Sequence, residues 1–202
     1  MIKNNYINTH FVSSEISAIQ CNNSITKEVA FVGYSNCGKS SAINLLTNQK
    51  KLARTSKTPG RTQYINFFSI SHDNFLVDLP GYGYANVAKF LKNKWEHMIF
   101  NYLKKRTCLK GIILFMDIRH NMKMLDRKVL KIALNNNIPV LILLTKIDKI
   151  LLNDQKIAFN KVNREILKYS SKLFYVNVFS AVKKIGVNTL RQKLDNWLYS
   201  KE

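Results

Sequence analysis

The chain lacks long hydrophobic runs, paired cysteines and an even balance of charge. Its longest apolar runs, residues 111–116 and 140–144, are far too short to cross a membrane and have the pattern of central strands buried on both faces. Cys21, Cys37 and Cys108 are scattered without metal-ligand spacing, which favours a reducing cytoplasm and argues against a disulfide framework. The N-terminus is polar and predicts no secretory signal peptide.

Acidic residues are scarce. The 12 Asp and Glu residues stand against 32 Lys and Arg residues, which gives a formal net charge of +20. Such an excess of positive charge favours contact with RNA, DNA or anionic lipid. The abundance of Lys, Asn and Ile also fits an AT-rich genome, in which codon bias raises the charge without selection for binding. The sequence leaves both explanations open.

The length of 202 residues suits one α/β domain and is too short for two. We expect an N-terminal extension over residues 1–27 and one domain over residues 28–202. Strand and helix patterns alternate, which predicts a mostly parallel six-stranded sheet with one antiparallel edge strand and helices on both faces. The predicted strands span residues 29–33, 65–70, 75–78, 111–117, 140–145 and 174–179, and the predicted helices span residues 39–46, 87–105, 123–135, 156–169 and 187–199.

The most informative segment has the spacing of a phosphate-binding loop: Gly33-Tyr34-Ser35-Asn36-Cys37-Gly38-Lys39-Ser40. Its glycines let the backbone bend so that successive N–H groups point at phosphate oxygens. Lys39 can reach the β- and γ-phosphates, and the Ser40 hydroxyl can ligate Mg²⁺. An apolar strand precedes the loop and a helix follows it, so the helix N-terminus faces the phosphates. The segment therefore predicts nucleotide binding.

A second phosphate motif, Asp78-Leu79-Pro80-Gly81, follows the third predicted strand. Asp78 can hold Mg²⁺ directly or through a water, and the Gly81 N–H can meet the γ-phosphate. Between the two motifs, Thr58 and Thr62 are both candidates for a hydroxyl that ligates Mg²⁺ and senses the γ-phosphate. The neighbouring Pro59-Gly60 would let this segment change shape, as a switch loop must.

Two further motifs point to the base. In Thr145-Lys146-Ile147-Asp148, the Asp148 carboxylate can accept hydrogen bonds from the N1–H and the 2-amino group of guanine, a donor pair that adenine lacks. The motif therefore selects GTP over ATP, and the aliphatic stem of Lys146 can lie over the base. Thr145 stands where Asn is usual. After the last predicted strand, the backbone N–H groups of Phe179-Ser180-Ala181 can meet the guanine O6.

Together these motifs resemble the EngB (YihA/YsxC) family of bacterial GTPases, within the TrmE-Era-EngA-EngB-septin-like superfamily. The most diagnostic strings are Thr58-Pro59-Gly60-Arg61-Thr62-Gln63 and Asp78-Leu79-Pro80-Gly81-Tyr82-Gly83-Tyr84-Ala85. The likeness extends from about residue 28 to the C-terminal helix. Tyr34 replaces a common Arg and Cys37 a common Val, and neither change removes a backbone donor.

The resemblance implies a cytoplasmic, monomeric GTPase that uses Mg²⁺ and hydrolyses GTP to GDP and phosphate. It implies a switch in assembly of the large ribosomal subunit, with the subunit or its precursors (rRNA and ribosomal proteins) as partner, and a requirement in cell division and septation. Carried over by position, the resemblance implies that Gly33 to Ser40 bind the phosphates, with Ser40 as a Mg²⁺ ligand, and that Asp78 to Gly81 face the γ-phosphate. It implies that Gly60-Arg61-Thr62-Gln63-Tyr64 form the switch, with Thr62 as the second Mg²⁺ ligand. Thr145 to Asp148 and Phe179 to Ala181 would bind guanine.

Catalysis is less clearly encoded. Tyr82 occupies the position at which Ras-like GTPases have a water-orienting Gln, so we assign it no chemical role and expect slow hydrolysis without a partner or a monovalent cation. We take Lys39, Thr62 and Asn36 as the catalytic candidates. Asn36 either ligates K⁺ beside the phosphates or stabilises the loop, and Arg61 either stabilises charge in cis or faces solvent or RNA.

Two other functions stay open. One is a P-loop small-molecule kinase, which would normally lack the Thr145 to Asp148 motif. The other is an RNA-binding assembly factor in which the nucleotide is structural. The cluster Lys104-Lys105-Arg106 either complements a helix dipole or contacts ribosomal RNA.

Overall fold

A computed structural model of the protein describes residues 6–17, 26–53, 64–83, 88–169 and 172–199. The predicted switch residues Gly60, Arg61, Thr62 and Gln63 lie outside these ranges, whereas Tyr64 lies within them. In the part of the chain so described, no helix combines the length and the apolar character needed to cross a membrane.

Seven strands and five α-helices alternate along the described residues. The strands are β1 (His10–Glu15), β2 (Lys27–Gly33), β3 (Ile65–Ser71), β4 (Asn74–Asp78), β5 (Leu109–Asp117), β6 (Val140–Thr145) and β7 (Phe174–Val178). The helices are α1 (Lys39–Thr47), α2 (Lys89–Lys105), α3 (Met124–Asn135), α4 (Leu152–Leu167) and α5 (Val187–Tyr199). The strands form one sheet in the order β1-β3-β4-β2-β5-β6-β7.

The predicted fold is confirmed, but the sheet has one strand more than the six expected. The additional strand, β1, lies within the N-terminal extension and pairs antiparallel with β3, from His10 beside Ser69 to Glu15 beside Ile65. β3 is also antiparallel to β4, so it is the reversed strand that the sequence predicts. It lies one position inside the sheet because β1 covers its outer side.

The core forms two layers, one on each face of the sheet. On β5, Ile112 and Leu114 face the layer that contains α2, α3 and α4, and Ile113 and Phe115 face the layer with α1 and α5. Alternate side chains of a central strand point to opposite faces, and both faces are covered by helices. This explains why the run 111–116 is continuously apolar.

A buried polar cluster fixes the C-terminal end of α2 to the start of β2. The Arg106 side chain is 8% exposed, and its Nε donates to Glu28 Oε2 at 2.9 Å. The Tyr102 hydroxyl donates to the same oxygen. Arg106 is therefore a structural residue, which corrects its grouping with the exposed Lys104 and Lys105 as an RNA-contacting cluster.

Cys37 and Cys108, the two cysteines within the described residues, are both buried. Cys37 is a free thiol in the phosphate loop, and burial raises its pKa to about 12, so it is a poor nucleophile. No group of three or more His, Cys, Asp or Glu side chains among the described residues could hold a metal ion.

Candidate nucleotide-binding site

The motifs predicted from sequence meet at one edge of the sheet. β2 pairs in parallel with β4 and β5, and β5 pairs in parallel with β6, so these strands end side by side. The register places Phe31 beside Asp78, and Asp117 beside Thr145. In open α/β sheets, ligands bind outside the carboxyl ends of the strands.

The phosphate loop connects β2 to α1 with an unusual backbone. Asn36 and Gly38 have φ values of 61° and 96°, in the left-handed region, and α1 begins at Lys39. The second motif packs directly on the loop, because a Cβ added at Gly81 would lie 2.9 Å from Ser35 Cα. Only glycine lets the two phosphate motifs approach this closely.

A buried ion pair joins the two phosphate motifs. The Lys39 ammonium contacts the Asp78 carboxylate, and the residues are 8% and 3% exposed. Buried charges persist when they are paired and hydrogen-bonded. Because phosphates would attract the same ammonium, a bound nucleotide would draw Lys39 away from Asp78 and free the carboxylate.

The oxygen ligands at this point fit a magnesium ion. Ser40 lies in the first turn of α1, next to Lys39, whose partner is Asp78. Mg²⁺ prefers oxygen ligands and is usually held by one or two protein groups together with substrate phosphates and waters. Ser40 and Asp78 supply such a set, and the third predicted ligand, Thr62, lies outside the described residues.

Asp148, the predicted guanine-binding residue, is held in place by Ser180. The Ser180 hydroxyl donates to Asp148 Oδ1 at 2.6 Å, and this hydrogen bond lowers the pKa of the carboxyl group. Ser180 itself is fully buried. The carboxylate is therefore kept ionised and oriented before any base arrives, as an acceptor for two N–H donors requires.

The first two residues of the base motif, Thr145 and Lys146, connect it to the phosphate loop. The Thr145 hydroxyl lies 2.6 Å from the Cys37 carbonyl and 3.1 Å from the Met116 carbonyl. Lys146 Nζ donates to the Asn36 carbonyl at 2.7 Å. Thr145, which replaces the usual Asn, thus joins the phosphate loop to the end of β5.

The predicted contact of Phe179-Ser180-Ala181 with guanine O6 needs a correction. The Phe179 N–H donates to the Leu144 carbonyl at 2.8 Å, and the Ser180 N–H donates to the Ile185 carbonyl at 3.1 Å. Both donors are used within the fold, so donation to O6 falls to Ala181. Ser180 acts on the base site through its side chain, and contact of this segment with guanine stays a prediction.

Sequence reasoning missed Asp117 and Arg119. The Arg119 side chain donates two hydrogen bonds to Asp117, of 2.9 Å and 2.7 Å, and its backbone N–H donates a third at 3.1 Å. Lys146 Nζ lies 3.0 Å from Asp117 Oδ2. Burial opposes the charge on Asp117, but the hydrogen bonds from Arg119 and Lys146 outweigh it and hold its pKa well below the usual range. The position of Asp117 at the end of β5 was the signal that could have found it.

Tyr82, immediately after the second phosphate motif, is part of the core. It is 1% exposed, and its hydroxyl donates to Asp126 Oδ1 at 2.9 Å. Its ring meets the Tyr34 ring edge-on, with centroids 4.7 Å apart. A phenol bound in this way is not positioned to orient a water, which is consistent with the prediction that Tyr82 has no chemical role.

Comparisons with known proteins agree with this site. Residues 28–146 match the family model described as 50S ribosome-binding GTPase, and residues 96–200 match the one described as Elongation factor Tu GTP binding domain. The chain is 53% identical over 199 residues to the probable GTP-binding protein EngB of Buchnera aphidicola subsp. Schizaphis graminum, covering 98% of each chain. It is 51% identical over 195 residues to that of Klebsiella pneumoniae strain 342, covering 96% of this chain and 91% of the relative.

Among solved structures, a crystal structure of a probable GTP-binding protein engB superposes with a TM-score of 0.69 at 19% identity, covering 86% of this chain and 100% of that one. At that identity the structural match supports the fold, whereas the curated relatives carry the family assignment. The chain belongs to the EngB family of GTP-binding proteins and is built on a GTPase domain.

Proposed function

We propose that this protein is a cytoplasmic GTP-hydrolysing switch that binds the large ribosomal subunit or its precursors during assembly, and that cell division and septation depend on it for that reason. The observation that carries the proposal is the Asp148 carboxylate, fixed by Ser180 at 2.6 Å, at the same sheet edge as Lys39 and Asp78. This arrangement suits a guanine base and its phosphates.

The reaction is GTP + H₂O to GDP and phosphate. Water attacks the γ-phosphorus, the bond to the β–γ bridging oxygen breaks, and the proton of the water ends on phosphate. Such transfer is promoted mainly by positioning and by neutralising charge. Lys39 brings one positive charge to the phosphates, and Mg²⁺, held by Ser40, Asp78 and Thr62, would neutralise further charge when bound.

Hydrolysis by the protein alone is slow in this proposal, because the Tyr82 hydroxyl is bonded to Asp126 rather than directed at a water. Asn36 offers a route to acceleration. Asn36 is exposed, and its backbone carbonyl accepts a hydrogen bond from Lys146 Nζ at 2.7 Å. We propose that Asn36 ligates K⁺, whose charge would stabilise the transferring phosphoryl group.

Initial hydrolysis rates in matched K⁺ and Na⁺ buffers test this cation effect. We expect a several-fold higher rate in K⁺, and we expect Asn36→Ala to lose the difference while it still binds GDP. Equal rates in both salts, with and without ribosomal particles, would leave Asn36 as a loop-stabilising residue. Arg61 or a group from the ribosome would then have to stabilise the transferring phosphoryl group.

The ribosomal partner rests on two supports. The matched family model is described as ribosome-binding, and the chain carries a net charge of +20. If the charge contacts rRNA, binding to large subunits should weaken with salt, with a log–log slope of magnitude at least ~3. Binding that does not respond to salt would attribute the charge to codon bias.

Two assays, nucleotide competition and phosphate release, separate the proposed function from the two alternatives. ATP would displace labelled GDP from a small-molecule kinase, whereas a site built around Asp148 should reject ATP and accept GTP. An RNA-binding factor with a structural nucleotide would bind GTP but release no phosphate even with K⁺ and ribosomal particles present. Release of phosphate from GTP, with no competition by ATP, is the result that supports the proposed function.

A further inference from the structure

Tyr82 is attached to the phosphate loop through its backbone. The Ser35 N–H donates to the Tyr82 carbonyl at 2.9 Å, and the Tyr82 N–H donates to the Gly33 carbonyl at 3.2 Å. Gly81 lies between this attachment and Asp78, against Ser35. The position of Tyr82 therefore decides where the Gly81 N–H can be.

Whereas the Tyr82 backbone contacts the phosphate loop, its side chain is held by α3. Its hydroxyl donates to Asp126 Oδ1 at 2.9 Å, while Oδ2 of the same carboxylate accepts the Lys123 N–H at 3.0 Å and so caps the first turn of α3. Asp126 is 2% exposed. Both oxygens of one buried carboxylate are engaged, one by the loop after Gly81 and the other by the start of a helix.

Aromatic packing makes this connection stiff. The Tyr82 ring lies between the Tyr34 ring, at 4.7 Å, and the Phe100 ring of α2, at 6.5 Å. Lys123 Nζ lies 4.6 Å from the centre of the Tyr34 ring. A displacement of Gly81 would have to carry a fully buried phenol through this cluster, and buried packing resists such movement.

We propose that the Tyr82–Asp126 hydrogen bond, hereafter the latch, is a positioning contact that keeps Gly81 against the phosphate loop and links the γ-phosphate side of the site to the first turn of α3. This inference rests on the proposed GTP switch and does not depend on the ribosomal partner. Tyr82 and Asp126 act through Gly81 and touch no reacting atom.

The latch has a directional consequence for nucleotide affinity. Gly81 is the residue that would meet the γ-phosphate, and a diphosphate does not extend to it. Releasing Gly81 therefore weakens a triphosphate more than a diphosphate. A ligand can bias two arrangements only by its differential contact with them, so the ratio of the two affinities reports the latch directly.

Tyr82→Phe removes the hydroxyl and keeps the ring, and Tyr102→Phe is its matched control. Tyr102 is also a fully buried tyrosine whose hydroxyl donates to a buried carboxylate, Glu28, at the far end of α2. Affinities for GDP and for a non-hydrolysable GTP analogue are measured on both variants and the parent by displacement of a fluorescent nucleotide. Thermal unfolding of each variant reports its folded fraction.

We expect Tyr82→Phe to lower the analogue-to-GDP affinity ratio by about fivefold or more, a usual size for coupling between sites. Tyr102→Phe should leave the ratio unchanged even if it loses as much thermal stability. An unchanged or raised ratio in Tyr82→Phe, or an equal drop in Tyr102→Phe, would overturn the proposed role of the latch.

A double-mutant cycle assigns the effect to the hydrogen bond itself. Asp126→Ala, which removes the acceptor, should lower the ratio at least as far as Tyr82→Phe does, and the double variant should fall no further than Asp126→Ala alone, because the hydrogen bond is already gone. Additive drops would contradict the proposal. If the parent binds neither guanine nucleotide, the GTP switch itself has failed. If the parent binds both and only the ratio test fails, the latch alone is wrong.

Discussion

The serine that positions Asp148 offers a sharp test of the base site. Ser180→Ala removes a hydroxyl that donates to Asp148 Oδ1 at 2.6 Å and that also accepts the Lys183 N–H at 3.1 Å. A hydrogen bond to a charged group contributes about 1.5–3 kcal/mol, and we take the lower end because this hydrogen bond is only partly buried. About 1.5 kcal/mol corresponds to GDP binding that is roughly tenfold weaker.

The variant also changes the response to pH. The Ser180 hydrogen bond lowers the pKa of Asp148, so the carboxylate stays ionised, and guanine binding persists, as the pH falls. A group with a depressed pKa provides its contribution above its ordinary pKa and loses it only as the pH falls through the lowered value. Without Ser180, the loss of GDP affinity on acidification should begin at a higher pH.

Isothermal titration with GDP at neutral pH measures the affinity, and a series carried down through the ordinary Asp range near pH 3.8 measures the pH response. Ser69→Ala is a suitable control, because the Ser69 hydroxyl is also hydrogen-bonded, to the Ser71 carbonyl at 2.9 Å on β3, away from the base motif. A GDP affinity of Ser180→Ala within twofold of the parent, with an unchanged pH response and a folded protein, would refute the role given to Ser180.

Three further variants test other parts of the account. Asp148→Asn should weaken GDP and favour XDP, because xanthine offers a carbonyl where guanine offers its amino group; an unchanged GDP-to-XDP ratio in a binding assay would remove Asp148 from the base site. Tyr82→Ala should destabilise the protein in urea by about 3–5 kcal/mol, as expected for loss of a large buried ring, so unchanged stability would contradict its placement in the core. Arg106→Ala should cost about 3–5 kcal/mol because it leaves Glu28 buried without its charge partner, while Lys105→Ala should be neutral in the same unfolding assay.

The elements that the sequence predicted best are those set by local signals. The strand before the phosphate loop, the helix after it and both base motifs lie where their apolar runs and glycines place them. β1 was missed because His10–Glu15 is mostly exposed and so carries little apolar alternation. α4 begins at Leu152 rather than at the predicted residue 156, because Leu151 and Leu152 at its start are exposed leucines and give no signal of a helix start.

The contacts that sequence could not predict join residues far apart in the chain. Tyr82 and Asp126 are 44 positions apart, and Glu28 and Arg106 are 78 apart. Nothing in either local segment indicates its partner, because the pairing is created by the order of strands in the sheet. The same reason explains why Arg106 was grouped with its exposed lysine neighbours.

Sedimentation of the protein with large ribosomal subunits, loaded either with GDP or with a non-hydrolysable GTP analogue, tests the central claim most directly. A switch predicts that the protein pellets with the subunits in the presence of the analogue and remains largely in the supernatant with GDP, at a salt concentration where the bound fraction is intermediate. Equal co-sedimentation in both nucleotides, or none in either, would contradict a GTP-controlled interaction with the subunit.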